Sequence, residues 1–354
     1  MQSQYPARRL PLYLTAAYTL LTIYACLYPL DGWRDIGDSP FAFLVAPWPR
    51  YSTGLDLVLN IIGYFPLGFV AAASLRGTYR TGRVIFTVTL ACALLSLCLE
   101  TAQNYLPTRV ASNLDLATNT IGALAGAWAG VRWGEIFERH GILERWRQRR
   151  ILHGHIGELG LILIALWWLT QLEPTNVLFG TGDLRPLFDL PAQMAFSARR
   201  YIALEAAIVA VQMLALGLVA RRCMREPAPW LLIFIILAGL GIKMLATSVF
   251  VTPPEPWQWA SPGAMRGLLA GSAILAIAWR LPGWLQHSLA CLALLCATAL
   301  VNLAPQNPFE LAGMRLIGEG HFLNFHGVTR VVASLWPFMA LMYLTAQGAL
   351  AARR

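Results

Sequence analysis

The chain has 354 residues, of which 57% are hydrophobic and 13% charged, and its mean hydropathy is +0.55. Soluble domains carry about 25% charged residues, so this composition excludes an ordinary soluble protein and predicts an integral membrane protein. The formal net charge of +9 does not indicate nucleic-acid binding, because the arginines fall in short clusters between apolar runs.

Apolar segments of roughly membrane-spanning length recur along nearly the whole chain. We predict spans near residues 10–30, 55–75, 84–100, 115–133, 156–172, 201–220, 230–250, 263–279, 284–303 and 331–350. The predicted fold class is all-α, a polytopic transmembrane helix bundle of about ten spans. The first segment has a basic start but no small-x-small cleavage site, so we expect an uncleaved first helix.

The spacing of the spans predicts two bundles. Residues 1–133 are expected to form an N-terminal four-span bundle, and residues 151–354 a second bundle of about six spans. The polar, basic segment between them, residues 134–150, has apolar residues at helical spacing and is predicted to be an amphipathic linker on the cytoplasmic surface.

The basic residues predict the orientation. With ten spans both termini lie on one side, and placing them inside puts seventeen arginines in inner segments and nine in outer ones. This asymmetry predicts that both termini are cytoplasmic, in a multi-pass protein of the cytoplasmic (inner) membrane.

Polar residues gather where spans two, three and four are predicted to reach the outer face. They are Asp56, Asn60, Glu100, Gln103, Arg109, Asp115 and Asn119. A carboxylate near hydrocarbon is costly unless it is paired or hydrated, so this group needs an explanation. We expect these residues to lie at one depth and to form an extracytoplasmic polar cluster.

Structural explanations compete with a binding pocket. Asp56 and Asp115 are each expected at a helix N-terminus, where an aspartate caps free N–H groups. Glu100 ends a helix, where its charge opposes the dipole, so it requires a partner such as Arg109 or protonation by desolvation. Asn60 and Asn119 are alternatively bridges between helices.

Three glycines follow on the fourth span at four-residue intervals, at positions 122, 126 and 130. This spacing lets membrane helices pack backbone to backbone, so we predict a structural role for them.

The second half offers fewer candidates. Glu205 and Lys243 lie inside predicted spans and are expected to form an ion pair or, alternatively, a proton or substrate relay. Pro337 is predicted to kink the last span and to expose a backbone carbonyl. His321 and His326 with Glu319 have a weak metal-ligand spacing, and we predict no metal site and no cofactor. The six cysteines show neither a disulfide nor a metal pattern and are interpreted as small core residues.

An ordered series of residues resembles the VanZ-like family. It comprises Asp56, Asn60, Phe65-Pro66-Leu67-Gly68, Glu100-x-x-Gln103, Arg109, Asp115 and Asn119-Thr120-x-Gly122. The resemblance covers roughly residues 55–130, about a fifth of the chain, and more weakly a stretch near residues 320–344. It implies a bacterial multi-pass membrane protein, whose namesake is linked to resistance to the lipid-tailed glycopeptide teicoplanin, and it brings no settled catalytic mechanism.

These observations leave three functional hypotheses. The first is a cell-envelope protein whose polar cluster binds the head of a lipidic or lipid-linked envelope molecule or a lipoglycopeptide antibiotic, with membrane lipids as its surroundings and no nucleic-acid partner. The second is a membrane-embedded hydrolase or transferase with Glu100 or Asp115 as general base. The third is a proton-coupled transporter that uses Glu100, Glu205 and Lys243.

Overall fold

The computed structural model describes residues 9–352 except 29, 31, 36, 38, 49–53, 108, 138–141, 153, 175, 189, 191–193, 251–255 and 306–325. The described residues are all-helical apart from loops and one isolated β-bridge. This confirms the predicted fold class. The chain divides between Arg147 and Gln148 into two compact units, which we call unit 1 and unit 2. The domain boundaries drawn from sequence stay a prediction.

The helices of unit 1 are long and joined by short connections. They are α1 (Arg9–Leu27), α2 (Gly54–Leu75), α3 (Thr81–Gln103) and α4 (Asn113–Trp133), with a 3-10 turn at Gly134–Phe137. A short helix, α5 (Ile142–Arg150), follows them along the chain.

Within the residues that the structure describes, unit 2 contains six long helices and one short one. They are α6 (Gly154–Thr170), α7 (Arg185–Phe188), α8 (Ala198–Cys223), α9 (Pro229–Phe250), α10 (Pro262–Ala278), α11 (Gly283–Leu303) and α12 (His326–Ala352).

Each predicted span coincides with a helix of the structure. Six helices within the described ranges are long and apolar enough to cross a membrane, namely α2, α3, α8, α9, α11 and α12. Three more, α1, α6 and α10, are apolar but shorter, and α4 belongs to neither set. The number of spans and the orientation of the termini therefore stay predictions.

The helices α2 and α4 of unit 1 pack with their backbones in close contact. A Cβ atom placed on Gly122 would lie 2.3 Å from the carbonyl oxygen of Ile61, and one on Gly126 would lie 2.1 Å from that of Phe65. Gly130 has the same relation to Phe69, at 2.3 Å. The pairs advance together along both chains, so the two helices run parallel. The packing role predicted for the three glycines is confirmed.

A non-helical segment of unit 2, which we call the buried loop (residues 176–184), is held by side chains of neighbouring helices. Gln212 donates a hydrogen bond to the carbonyl of Thr181 at 2.8 Å and accepts one from its hydroxyl at 3.1 Å. Asn302 donates to the carbonyl of Gly182 at 2.7 Å and accepts from the N–H of Leu184 at 3.0 Å. Irregular backbone is tolerated at membrane depth only when protein or water satisfies its polar groups in this way.

Pro337 has the expected consequence for its own helix. It has no N–H to donate to the residue four positions earlier, so the carbonyl of Ala333 is left without its helical partner. The N–H of Gly182 in the buried loop donates to this carbonyl at 2.8 Å. The prediction that Pro337 frees a carbonyl is therefore confirmed, and the loop is its new partner.

All six cysteines are free. Cys26, Cys92 and Cys223 are buried, as the interpretation as core residues requires. Cys98 and Cys296 are exposed on their helices, so for these two that interpretation is wrong.

The helix contact can be tested with Gly126→Ala. The added methyl group would meet the backbone of α2, and overpacking of this kind costs about 1–3 kcal/mol. We expect a clearly lower melting temperature for the purified protein in detergent. Gly82→Ala in α3 is the control, because nothing lies within 4 Å of a Cβ atom there. Equal melting temperatures for the two variants would contradict the close contact.

Candidate functional site

The predicted site residues lie at the end of unit 1 where α2 and α4 begin and α3 ends. Five of them are buried, with between 3% and 9% of their surface exposed: Asn60, Glu100, Gln103, Arg109 and Asn119. Asp115 is half-buried. Asp56 lies in the first turn of α2, and its side chain is outside the described residues.

Arg109 and Gln103 bind the end of α1. The Nη2 atom of Arg109 donates to the carbonyls of Ala25 and Tyr28, both at 3.0 Å. The amide of Gln103 donates to the carbonyl of Cys26 at 3.0 Å. The last carbonyls of a helix have no partner within it, and a positive charge suits that end of the helix dipole. The two residues therefore act as a C-terminal cap for α1, which we call the α1 clamp.

Burial lowers the pKa of the Arg109 guanidinium, while the neighbouring Cys26 and Glu100 act in the opposite direction. An arginine nevertheless stays charged in a protein. The clamp is therefore made by a cation.

Glu100 is held in a different way from the one expected. Its Oε2 atom accepts a hydrogen bond at 2.9 Å from the backbone N–H of Ser112, which precedes α4. Arg109 is near enough to act on Glu100 electrostatically, but the two form no ion pair within 4.0 Å. The expected direct pair is therefore wrong, because the guanidinium is turned towards the carbonyls of α1.

Ser112 is a site residue that the sequence interpretation missed. Its hydroxyl accepts from the N–H groups of Leu114 and Asp115, at 3.2 and 3.3 Å, so Ser112 is the N-cap of α4. The capping role expected for Asp115 is therefore wrong, since this aspartate lies in the first turn instead. The signal was present in the sequence, because serine followed three positions later by an acid is the capping-box spacing.

Asp115 nevertheless lies close to Glu100. The two carboxylates act on each other electrostatically, one buried and one half-buried. Unit 1 therefore brings two acids together near the start of α4.

One helical turn away from the two acids, a second polar layer joins α3 and α4. The amide nitrogen of Asn119 donates to the hydroxyl of Ser96 at 3.0 Å, so the expected helix bridge is present for this residue. The amide oxygen of Asn119 is buried and has no hydrogen-bond donor within the part of the chain that the structure describes. Tyr64 interacts with the same Ser96, and Asn60 lies one turn before Tyr64 on α2.

An apolar loop packs beside this end of unit 1. Asn104 donates to the carbonyl of Pro40 at 2.7 Å, and Asn113 donates to that of Ala46 at 2.7 Å. Between these attachments the loop exposes large hydrophobic side chains, and Trp48 follows. The exposed fractions are 52% for Phe41, 41% for Leu44, 89% for Val45 and 76% for Trp48. We call residues 40–48 the apolar lip.

The ion pair expected in unit 2 is not formed. Glu205 accepts a hydrogen bond from the hydroxyl of Ser261 at 2.5 Å. Lys243 is fully buried and donates to the carbonyls of Glu173 and Asn176, at 2.6 and 2.8 Å. The predicted pair of Glu205 with Lys243 is therefore wrong, because Glu205 binds the segment before α10 and Lys243 binds the segment after α6.

Metal binding has no support from the described residues, which contain no group of three potential ligands. The expectation for Glu319, His321 and His326 lies outside the described side chains.

The α1 clamp predicts the behaviour of Arg109→Ala. Hydrogen bonds to charged groups contribute about 1.5–3 kcal/mol, so the end of α1 should open at least about tenfold more often without the guanidinium. We expect a maleimide to label Cys26, which is 5% exposed, correspondingly faster. Arg34→Ala is the matched control, because Arg34 is exposed. Unchanged labelling of Cys26 in Arg109→Ala would contradict the clamp.

One of the comparisons with known proteins gives a match. The VanZ/LLP1 family model matches residues 12–134, about a third of the chain. Neither a curated protein nor a solved structure matches. The matched region includes α1, which the motif series did not, and α1 is the helix that the Arg109 clamp holds. Residues 12–134 therefore form a VanZ-like domain within a helical chain that has the composition of a membrane protein.

Proposed function

We propose that the VanZ-like domain binds the polar head of a lipidic or lipid-linked molecule of the cell envelope, or of a lipoglycopeptide antibiotic. The contacting groups are the oxygen atoms of Glu100, Asp115 and Asn119. The observation that supports this most is an excess of hydrogen-bond acceptors over donors. Glu100 is 4% exposed and accepts one hydrogen bond, from Ser112.

A carboxylate offers about four lone-pair sites, and a buried acceptor without a donor is costly. The amide oxygen of Asn119 adds another buried acceptor that lacks a donor among the described residues. The complementary ligand is rich in donors, such as the hydroxyl and amide groups of a sugar or peptide head. Arg109 and Gln103 position this site by holding α1, and are not required to contact the ligand.

The apolar lip supports an amphiphilic ligand. Phe41, Val45 and Trp48 are exposed beside the polar cluster, and aromatic side chains favour the level of the lipid head groups. Val110, next to Arg109, is 82% exposed on the same end of the domain. A ligand with a polar head and a hydrocarbon tail would contact both kinds of surface.

An enzyme at the same place is the second candidate. The observation that favours it is the proximity of a buried acid, Glu100, and a half-buried one, Asp115. Two carboxylates in unlike environments are a common arrangement for acid and base catalysis. In this case Glu100 or Asp115 would act as general base on an envelope lipid. The transporter hypothesis uses Glu205 and Lys243 together with Glu100, and these two residues are each engaged with a different segment of the chain.

Glu100→Gln tests the proposal. The amide keeps the size of the side chain and an oxygen for Ser112, but it replaces the second oxygen, which can accept from ligand donors, with an NH2 group that only donates. We expect a defined lipid or lipid-linked adduct on the wild-type protein in native mass spectrometry after gentle purification. The variant should retain it about tenfold less, since a buried donor or acceptor left without a partner costs about 1–3 kcal/mol.

Glu135→Gln is the matched control, because it makes the same change in an exposed residue that pairs with Arg76 elsewhere in unit 1. Identical bulk phospholipid on all three proteins would refute the binding site. A larger, unconverted adduct retained by Glu100→Gln would favour the enzyme.

A further inference from the structure

One end of unit 2 carries arginines from three segments of the chain, and we call five of them the basic end. They are Arg150, Arg221, Arg222, Arg225 and Arg280. The predicted topology places them on the cytoplasmic side, but their arrangement is independent of that prediction and of the VanZ-like domain.

Backbone hydrogen bonds bring the first two segments together. The N–H of Leu152 donates to the carbonyl of Cys223 at 3.1 Å, and the N–H of Arg225 donates to the carbonyl of Arg150 at 2.9 Å. An isolated bridge joins Ile151 to Met224 between these bonds. The arginines at the end of α5 and at the end of α8 are therefore held side by side.

A tryptophan brings in the third segment. The guanidinium of Arg221 lies over the ring of Trp279, 5.7 Å from its centre, which is a cation–π distance. Arg280 follows Trp279 at the turn between α10 and α11 and is exposed. Trp284, at the start of α11, is 69% exposed. The basic groups are thus set among aromatic rings of the kind found at membrane interfaces.

Within the described part of the chain, Arg221, Arg222 and Arg280 form no ion pair with a carboxylate. The neighbouring Glu226 is exposed.

The donors of these arginines are only partly used within the protein. The Nε atom of Arg222 donates to Gln347 at 2.9 Å. The Nε atom of Arg221 is buried and has no acceptor within the described part of the chain. Arg221 and Arg222 are half-buried, and a partly buried cation without a counter-charge is costly, so the arrangement favours an anion from outside the protein.

We propose that the basic end of unit 2 binds the phosphate group of an anionic membrane phospholipid through Arg221, Arg222 and Arg280. The planar guanidinium suits phosphate, to which it presents two parallel donors. Basic pockets between transmembrane helices bind anionic lipid head groups in this way. A lipid is favoured over a free anion because Trp279 and Trp284 place the arginines at the level of the head groups.

The experiment is a titration of the delipidated, full-length protein with phosphatidylglycerol and, separately, with zwitterionic phosphatidylethanolamine, followed by native mass spectrometry. We expect tighter binding of phosphatidylglycerol. Each arginine near a membrane surface contributes about fivefold to such binding, so Arg280→Gln should weaken it about fivefold and the double variant R221Q/R280Q about 25-fold.

The double variant R199Q/R200Q is the matched control, because it removes two exposed charges from the opposite end of α8. Its affinity for phosphatidylglycerol should stay at the wild-type value. If R221Q/R280Q does not fold, the exposed Arg280→Gln decides alone. Equal affinity for the two lipids, or equal losses in both double variants, would overturn the proposal. Displacement of the lipid by millimolar inorganic phosphate would show a free-anion site and overturn the assignment to a lipid.

Discussion

The parallel contact of α2 with α4 is the constraint on which the VanZ-like domain depends. Glycines at 122 and 126 let the two backbones approach until a methyl group would collide with the opposite carbonyl. A parallel pair begins at one end of the domain, and the helix between them must return there. Asn60, Glu100 and Asn119 are brought to that end by this connectivity. The polar cluster is therefore a consequence of backbone packing, whatever it binds.

The sequence predicted what depends on short-range pattern. The span positions, the glycine contact and the freed carbonyl of Ala333 each follow from spacing within one helix. The partner of Arg109 did not, because it depends on where α1 ends, about eighty positions earlier in the chain. The same limit explains the wrong pairing of Glu205 with Lys243, since each is satisfied by a loop that is distant in sequence.

Hydrogen-bond satisfaction separates structural from functional candidates in this molecule. Arg109 and Gln103 belong to the residue series that resembles the VanZ-like family, but they are engaged with the end of α1. Glu100 and Asn119 belong to the same series, yet keep acceptor capacity that the described chain does not fill. The basic end of unit 2 shows the opposite imbalance, with a buried donor that has no acceptor among the residues the structure describes. Each imbalance identifies the chemistry of the molecule that would correct it.

The bond between Gly182 and Ala333 joins residues about 150 positions apart, and the hydroxyl of Ser334 donates to the neighbouring carbonyl of Asp183. During synthesis the buried loop emerges long before α12, so these hydrogen bonds of its backbone form only after the last helix has been made. These hydrogen bonds join segments far apart in the chain, and the entropy of closing a long loop must be overcome before such contacts form. The buried loop and the final helix complete one another, so neither reaches its native hydrogen bonds alone.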